Sequence, residues 1–164
     1  MVVNCVVLKI KTQLPSMEQA RIRIIIADDH QLVRETWKIL LEQDERFLVI
    51  AECNNGAEAI KAVTNYVADI ILMDINMYPV NGFEATKKIM KQTPSVKIIG
   101  ISVNNQPSYA RNMLQLGAKG FVTKDSTKEE MINAIITVYK GGIFICEDVK
   151  RKMEHPGDSE FFEK

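Results

Sequence analysis

"ADIILMD" (68–74) is the stretch whose reading decides the fold. A run this apolar fits a central parallel strand covered on both faces, where a half-exposed strand would alternate. Asp74 closes it, and Pro79, Asn81 and Gly82 follow within eight residues. A carboxylate is a costly filler for a buried strand, so Asp74 either opens a turn or carries chemistry.

Working outward, "RIRIIIAD" (21–28), "RFLVIAEC" (46–53), "VKIIGIS" (96–102) and "KGFVTK" (119–124) are further strand-like runs, rich in β-branched residues. Helical patterns alternate with them. "HQLVRETWKILLEQ" (30–43) places Val33, Trp37, Leu40 and Leu41 at i, i+4, i+7 and i+8, one buried stripe. "NNGAEAIKAVTNYV" (54–67) is an Asn-capped helix with Ala59, Ile60 and Val63 inward. "GFEATKKIMKQT" (82–93) stops at Pro94, and Pro107 opens "PSYARNMLQLG" (107–117). In "TKEEMINAIITVYKGG" (127–142), Met131, Ala134, Ile135 and Val138 form one apolar stripe, and Ile132, Ile136 and Tyr139 a second. The first serves the core; the second is either a dimer or output contact or the margin of a broad buried face.

Five βα units with short connections require long, right-handed crossovers, hence a parallel sheet with helices on both faces. Between the six-stranded doubly wound order and the five-stranded order 2-1-3-4-5, the strand count favours the second, a flavodoxin-like (βα)5 sandwich. Ligands in such sheets bind beyond the carboxyl ends of the strands at the switch point, here beside strands 1 and 3.

Composition agrees with one ordinary domain: 164 residues, 46% hydrophobic and 26% charged. Twenty-one basic residues balance twenty-one acidic ones, so overall charge points neither to nucleic acid nor to an anionic membrane surface. No apolar run approaches the roughly 20 residues of a membrane span. The apolar "MVVNCVVLKI" (1–10) has its positive charges after the apolar segment and no small-residue cleavage site following, unlike a secretory signal. Cys5, Cys53 and Cys146 are widely spaced and odd in number, which reads as reduced thiols in a cytoplasmic protein, two of them half-buried fillers.

The strand ends supply the chemistry. Strand 1 ends in Asp28 and Asp29, strand 3 in Asp74, strand 4 in Ser102 and strand 5 in Lys124. With strands 1 and 3 adjacent, three carboxylates share one pocket and repel one another without a cation. A hard divalent ion answers this, and Mg2+ is expected at Asp29 and Asp74, with Asp28 acting partly through water and the Asn76 backbone carbonyl as a further ligand. His30 is placed at the start of helix 1, near the pocket rim. The basic runs at 87–88 and 150–152 read as solvated faces.

An Asp-Asp pair after strand 1, single Asp after strand 3, hydroxyl after strand 4 and Lys after strand 5 together resemble the CheY-like receiver domain of bacterial two-component response regulators. "ADDHQLVRE" (27–35), "GAKGFVTKD" (117–125) and "VYKGGIFI" (138–145) are most similar to the NarL/FixJ/LuxR-type subgroup, whose output is a helix-turn-helix. The resemblance implies that Asp74 is the phosphoacceptor for a sensor histidine kinase. Lys124 then compensates phosphoryl charge, the Ser102 hydroxyl donates to a phosphoryl oxygen, and Phe121 rotates inward as the switch aromatic. Phe121 lacks the hydroxyl of a Tyr, so packing alone would hold its inward state. The implied surfaces for homodimerisation or output are helices 1 and 5, or strand 4 to helix 5. DNA would be reached only through an output domain absent from this chain.

Three departures from the family pattern stand out, one of them the bulky Val103 where a small residue is common. Tyr78 occupies the place where many receivers have Pro, with Pro79 one residue later, and Asp125 replaces the frequent Pro after Lys124, so no cis X-Pro bond is expected there. The expected organisation is an N-terminal extension over 1–20, with Met17 as a conventional start, a receiver over 21–141, and a linker or short helix over 142–164. The chain then reads as a fragment or a stand-alone receiver. A haloacid-dehalogenase-like phosphatase shares the nucleophilic Asp, Mg2+ and parallel sheet, but wants a second Asp two residues on, where Asn76 follows Asp74 and His30 follows Asp28. A binding module that no longer accepts phosphate is the third class, opposed by the intact Asp28, Asp29, Asp74 and Lys124.

Overall fold

The computed structural model describes residues 20–155; the expectations for Met17, Cys5 and the extreme C-terminal residues lie outside them. The elements are β1 (Ile22–Ala27), α1 (Gln31–Glu42), β2 (Phe47–Cys53), α2 (Gly56–Asn65), β3 (Ile70–Asp74), α3 (Gly82–Gln92), β4 (Lys97–Ser102), α4 (Pro107–Gln115), β5 (Gly120–Thr123), α5 (Lys128–Tyr139), β6 (Phe144–Ile145) and α6 (Glu147–Glu154).

All strand pairings are parallel, in the order β2-β1-β3-β4-β5-β6. The expected 2-1-3-4-5 arrangement is present, and β6 extends it by one short strand. The amides of Phe144 and Cys146 reach the carbonyls of Lys119 and Phe121 at 3.0 and 2.9 Å. A two-residue strand, one residue beyond Gly141-Gly142, offers too little periodicity to be seen in advance.

Every residue of β3 is buried, as its unbroken apolar composition required, and β1 and β4 flank it with largely buried isoleucines. α1 and α5 lie on one face; α2, α3 and α4 form a contiguous layer on the other, with α6 against α4. The inward stripe of α5, Met131, Ala134, Ile135 and Val138, is fully buried. Of its second stripe, Ile132 and Ile136 are partly buried and Tyr139 is exposed.

Helix starts follow their chemistry. Asn55, Asn81 and Thr127 cap α2, α3 and α5, each accepting from the backbone N–H of a Glu three residues on. Pro107 occupies the first turn of α4. That helix closes on Gly117 at φ +107, a left-handed conformation that disfavours any side chain. Cys53 and Cys146 are buried outright rather than half-buried, and burial pushes both thiols up, Cys53 to about 11.

The segment after residue 141 is more tightly held than a linker. Val149 is fully buried, and Asn105 bonds α6 twice, its amide donating to Asp148 Oδ2 at 2.7 Å and its carbonyl accepting from Lys152 Nζ at 2.7 Å. Lys152 is therefore not simply part of a solvated basic face.

Candidate acidic site

The carboxyl ends of β1, β3, β4 and β5 meet at one edge of the sheet, and the strand-end residues meet with them. Asp28 and Asp74 are 2% and 1% exposed, and between them sits Lys124, whose Nζ lies 2.8 Å from Asp28 Oδ2 and 3.1 Å from Asp74 Oδ2. Asp29 is the exposed member of the acidic set. Asp28, Asp29, His30 and Asp74 each offer one ligand atom, all within 4.8 Å of one another.

The electrostatics are those of an under-compensated pocket. Burial, followed by the neighbouring charge of Asp28, pushes the Asp74 carboxyl up to about 6, despite the opposing pull of Lys124 and the Asn76 amide. Burial acts against the Lys124 ammonium too, but its hydrogen bond to Asp28 and the charges of both carboxylates outweigh it and hold the ammonium above its usual range. One cation thus serves two buried anions.

The loops around the pocket are organised by it. Asp28 Oδ1 accepts from the His30 amide at 2.8 Å, and Asp74 Oδ1 from the Asn76 amide at 3.3 Å. A Cβ on Gly82 would collide with the Asp74 carbonyl, so only glycine lets α3 begin this close to the end of β3. The one cis peptide bond among the described residues is Tyr78-Pro79, inside this loop, with the Tyr78 side chain exposed. On the opposite side Ser102 is fully buried, its Oγ accepting from the Asn104 amide at 3.0 Å, while the neighbouring Val103 is exposed.

Phe121 is fully buried, paired through β5 with Gly100 on one side and Ile145 on the other. His30 caps α1 at the rim as expected, but its Nδ1 lies 2.9 Å from Asp29 Oδ1 and 3.1 Å from Asp28 Oδ1, inside the cluster. Two features escaped the sequence reading. The direct Asp28–Lys124 pair joins residues 96 positions apart, and nothing in the local sequence around either signals it. Arg34 is buried on α1, where a lone arginine in an amphipathic helix carries no signal of inward orientation.

Residues 24–136 match the family model described as the response regulator receiver domain. The chain belongs to the response regulator receiver family. The receiver is 39% identical over 137 residues to the transcriptional regulatory protein DegU of Brevibacillus brevis, covering 84% of this chain and 58% of that protein. It is 34% identical over 132 residues to the response regulator UvrY of Escherichia coli K12, covering 80% and 61% respectively. The crystal structure of a LuxR-family two-component response regulator from Aurantimonas sp. SI85-9A1 superposes with a TM-score of 0.80 at 28% identity, covering 84% of this chain and 98% of that one. The chain spans about three fifths of the length of these curated relatives. No helix among the described residues is long and apolar enough to cross a membrane.

Proposed function

We propose that this receiver takes a phosphoryl group from a sensor histidine kinase onto Asp74 and uses it to change which surfaces it presents. The observation that carries the reading is Lys124 Nζ held between Asp28 and Asp74, 2.8 and 3.1 Å away. That geometry leaves one buried carboxylate pushed up to about 6, a group that gains by acquiring a cation.

The donor set fits Mg2+: three carboxylates converge, the metal-binding atoms available lie within 4.8 Å, and the Asn76 backbone carbonyl is a further hard oxygen. Asp28, Asp29, Asp74 and Asn76 would hold the ion, which when bound neutralises charge on the phosphoryl oxygens. The Asp74 carboxylate is already an anion at neutral pH and needs no base to attack phosphorus. The bond from phosphorus to the kinase histidine nitrogen breaks as the acyl phosphate forms. Lys124 supplies charge to the phosphoryl oxygens, and Ser102 Oγ donates its hydrogen to one of them. The reaction is self-limited to this side chain and its hydrolysis.

The switch is a shift between two packings, in which Ser102 and Phe121 move with the phosphoryl group. Buried Phe121, with no hydroxyl to satisfy, supports an inward state held by packing. The receiver unit spans about 21–141, and the half-open stripe of Ile132, Ile136 and Tyr139 on α5 supports helices 1 and 5 as a homodimer surface, with strand 4 to helix 5 as the other. The names of the relatives support transcription as the output of the whole protein, with DNA reached through a separate domain.

The test is intact-mass analysis after incubation with acetyl phosphate and Mg2+. Wild type should gain one phosphoryl group and Asp74→Asn none. A wild-type mass unchanged by both acetyl phosphate and a phosphorylated kinase domain would overturn the reading. Steady turnover of phosphate esters would favour the phosphatase.

A further inference from the structure

Arg34 sits on the inner side of α1 with its side chain only 11% exposed. Burying a guanidinium is expensive unless it secures something. Its Nε is the one buried side-chain nitrogen or oxygen among the described residues without a hydrogen-bond partner, and its nearest carboxylate oxygen, Glu52 Oε1, is 4.0 Å away. An orphaned buried donor of this kind forfeits its hydration without a replacement bond. The arginine is therefore held at a net penalty on that side, and what it gains lies at the other end of the group: Nη1 donates to the backbone carbonyl of Asp28 at 2.6 Å.

That carbonyl belongs to the peptide group joining Asp28 to Asp29. The Asp28 N–H is bound to Cys53 O at 3.1 Å, and its carboxylate is tied to Lys124 and to the His30 amide, so Asp28 is restrained from several sides. Asp29 has no such support. Its side chain is 38% exposed, with His30 Nδ1 as its ion-pair neighbour. The direction in which Asp29 leaves the strand is set by the plane of the peptide group before it, and Arg34 holds the oxygen of that group.

We propose that Arg34 is a positioning residue: its hydrogen bond to the Asp28 carbonyl orients the Asp28–Asp29 peptide so that Asp29 converges with Asp74 on a bound divalent cation. The inference rests on the Mg2+ reading above. It also opposes the simplest electrostatic expectation, since a nearby guanidinium charge alone would repel a cation and weaken its binding. The sign of the effect therefore separates the two roles.

The experiment is a calorimetric Mg2+ titration of the full chain for wild type, Arg34→Met and Arg34→Lys, with the Tm of each in EDTA. Losing a group that orients a metal ligand typically weakens affinity about 10–100-fold. Arg34→Met should fall at the lower end of that range, and Arg34→Lys, which keeps the charge and one donor, between it and wild type. A purely structural arginine would lower Tm and leave the affinity of folded protein unchanged. Equal or tighter binding by Arg34→Met would overturn the positioning role alone. If that variant does not fold, Arg34→Lys decides: weaker binding than wild type supports the role, and equal or tighter binding overturns it. A wild type that binds no Mg2+ would overturn the metal reading and the positioning role together.

Discussion

At the amino ends of the strands Arg23 faces Asp69 at 3.1 Å, and at the carboxyl ends Lys124 faces Asp28 at 2.8 Å and Asp74 at 3.1 Å. The contacts are alike in length, yet the carboxylates respond in opposite directions. The Asp69 side chain is 22% exposed and has a guanidinium to itself, bonded through Nε, Nη2 and the Arg23 amide. Burial is the largest single influence there and raises the carboxyl, but the hydrogen bonds and charge of Arg23 together outweigh it and hold the carboxyl below its usual range. Asp74 is closed off and shares its cation with Asp28, so burial and like charge win and push it up to about 6. One end of the sheet is an ion pair at rest. The other stores repulsion that a bound cation would relieve.

The largest test of that contrast is Lys124→Met. Removing the ammonium leaves two buried anions facing each other, and breaking a buried pair in this way costs about 3–5 kcal/mol. Urea denaturation at neutral pH in EDTA should show it, with part of the loss restored by Mg2+. A loss like that of a surface pair would mean that the two ends do not differ.

Asp74→Asn should act in the opposite direction. The folded-state value of Asp74 lies above that of a free carboxyl, so its contribution to stability is present below pH 4 and is lost as pH rises through 6. A shift of this size corresponds to about 3 kcal/mol. Metal-free Asp74→Asn should therefore be about 2 kcal/mol more stable than wild type at neutral pH, with a flatter stability profile between pH 4 and 7. Identical profiles for the two proteins would remove the stored repulsion from the account.

The smallest effect is expected at the amino end. Asp69→Asn keeps an acceptor for the Arg23 amide and loses a partly solvated pair, so denaturation should change little, and by less still in high salt. If Asp69→Asn proved as costly as Lys124→Met, exposure would not be what distinguishes the two ends.

Much of this contrast was legible in the sequence. The buried strands announce themselves because their apolar runs do not alternate, and once the order 2-1-3-4-5 is fixed, Asp28, Asp29, Asp74, Ser102 and Lys124 fall at one edge. Three features were not legible, each for a physical reason. Arg34 points inward although its residue type is normally outward on such a helix. Asn105 and Lys152 read as ordinary polar residues because they meet only through folding, 47 positions apart. β6 is too short to leave a pattern.

That last strand has a practical consequence. A chain cut after residue 141, where the βα alternation ends, would strip Phe144 and Cys146 from the carbonyls of Lys119 and Phe121. β5 would become a bare edge, and the surface now covered by Val149 would be opened to water. Bare edges of this kind pair with other chains. Self-association of such a shortened protein would then report an artificial strand-to-strand contact, which a chain retaining residues 142–155 avoids.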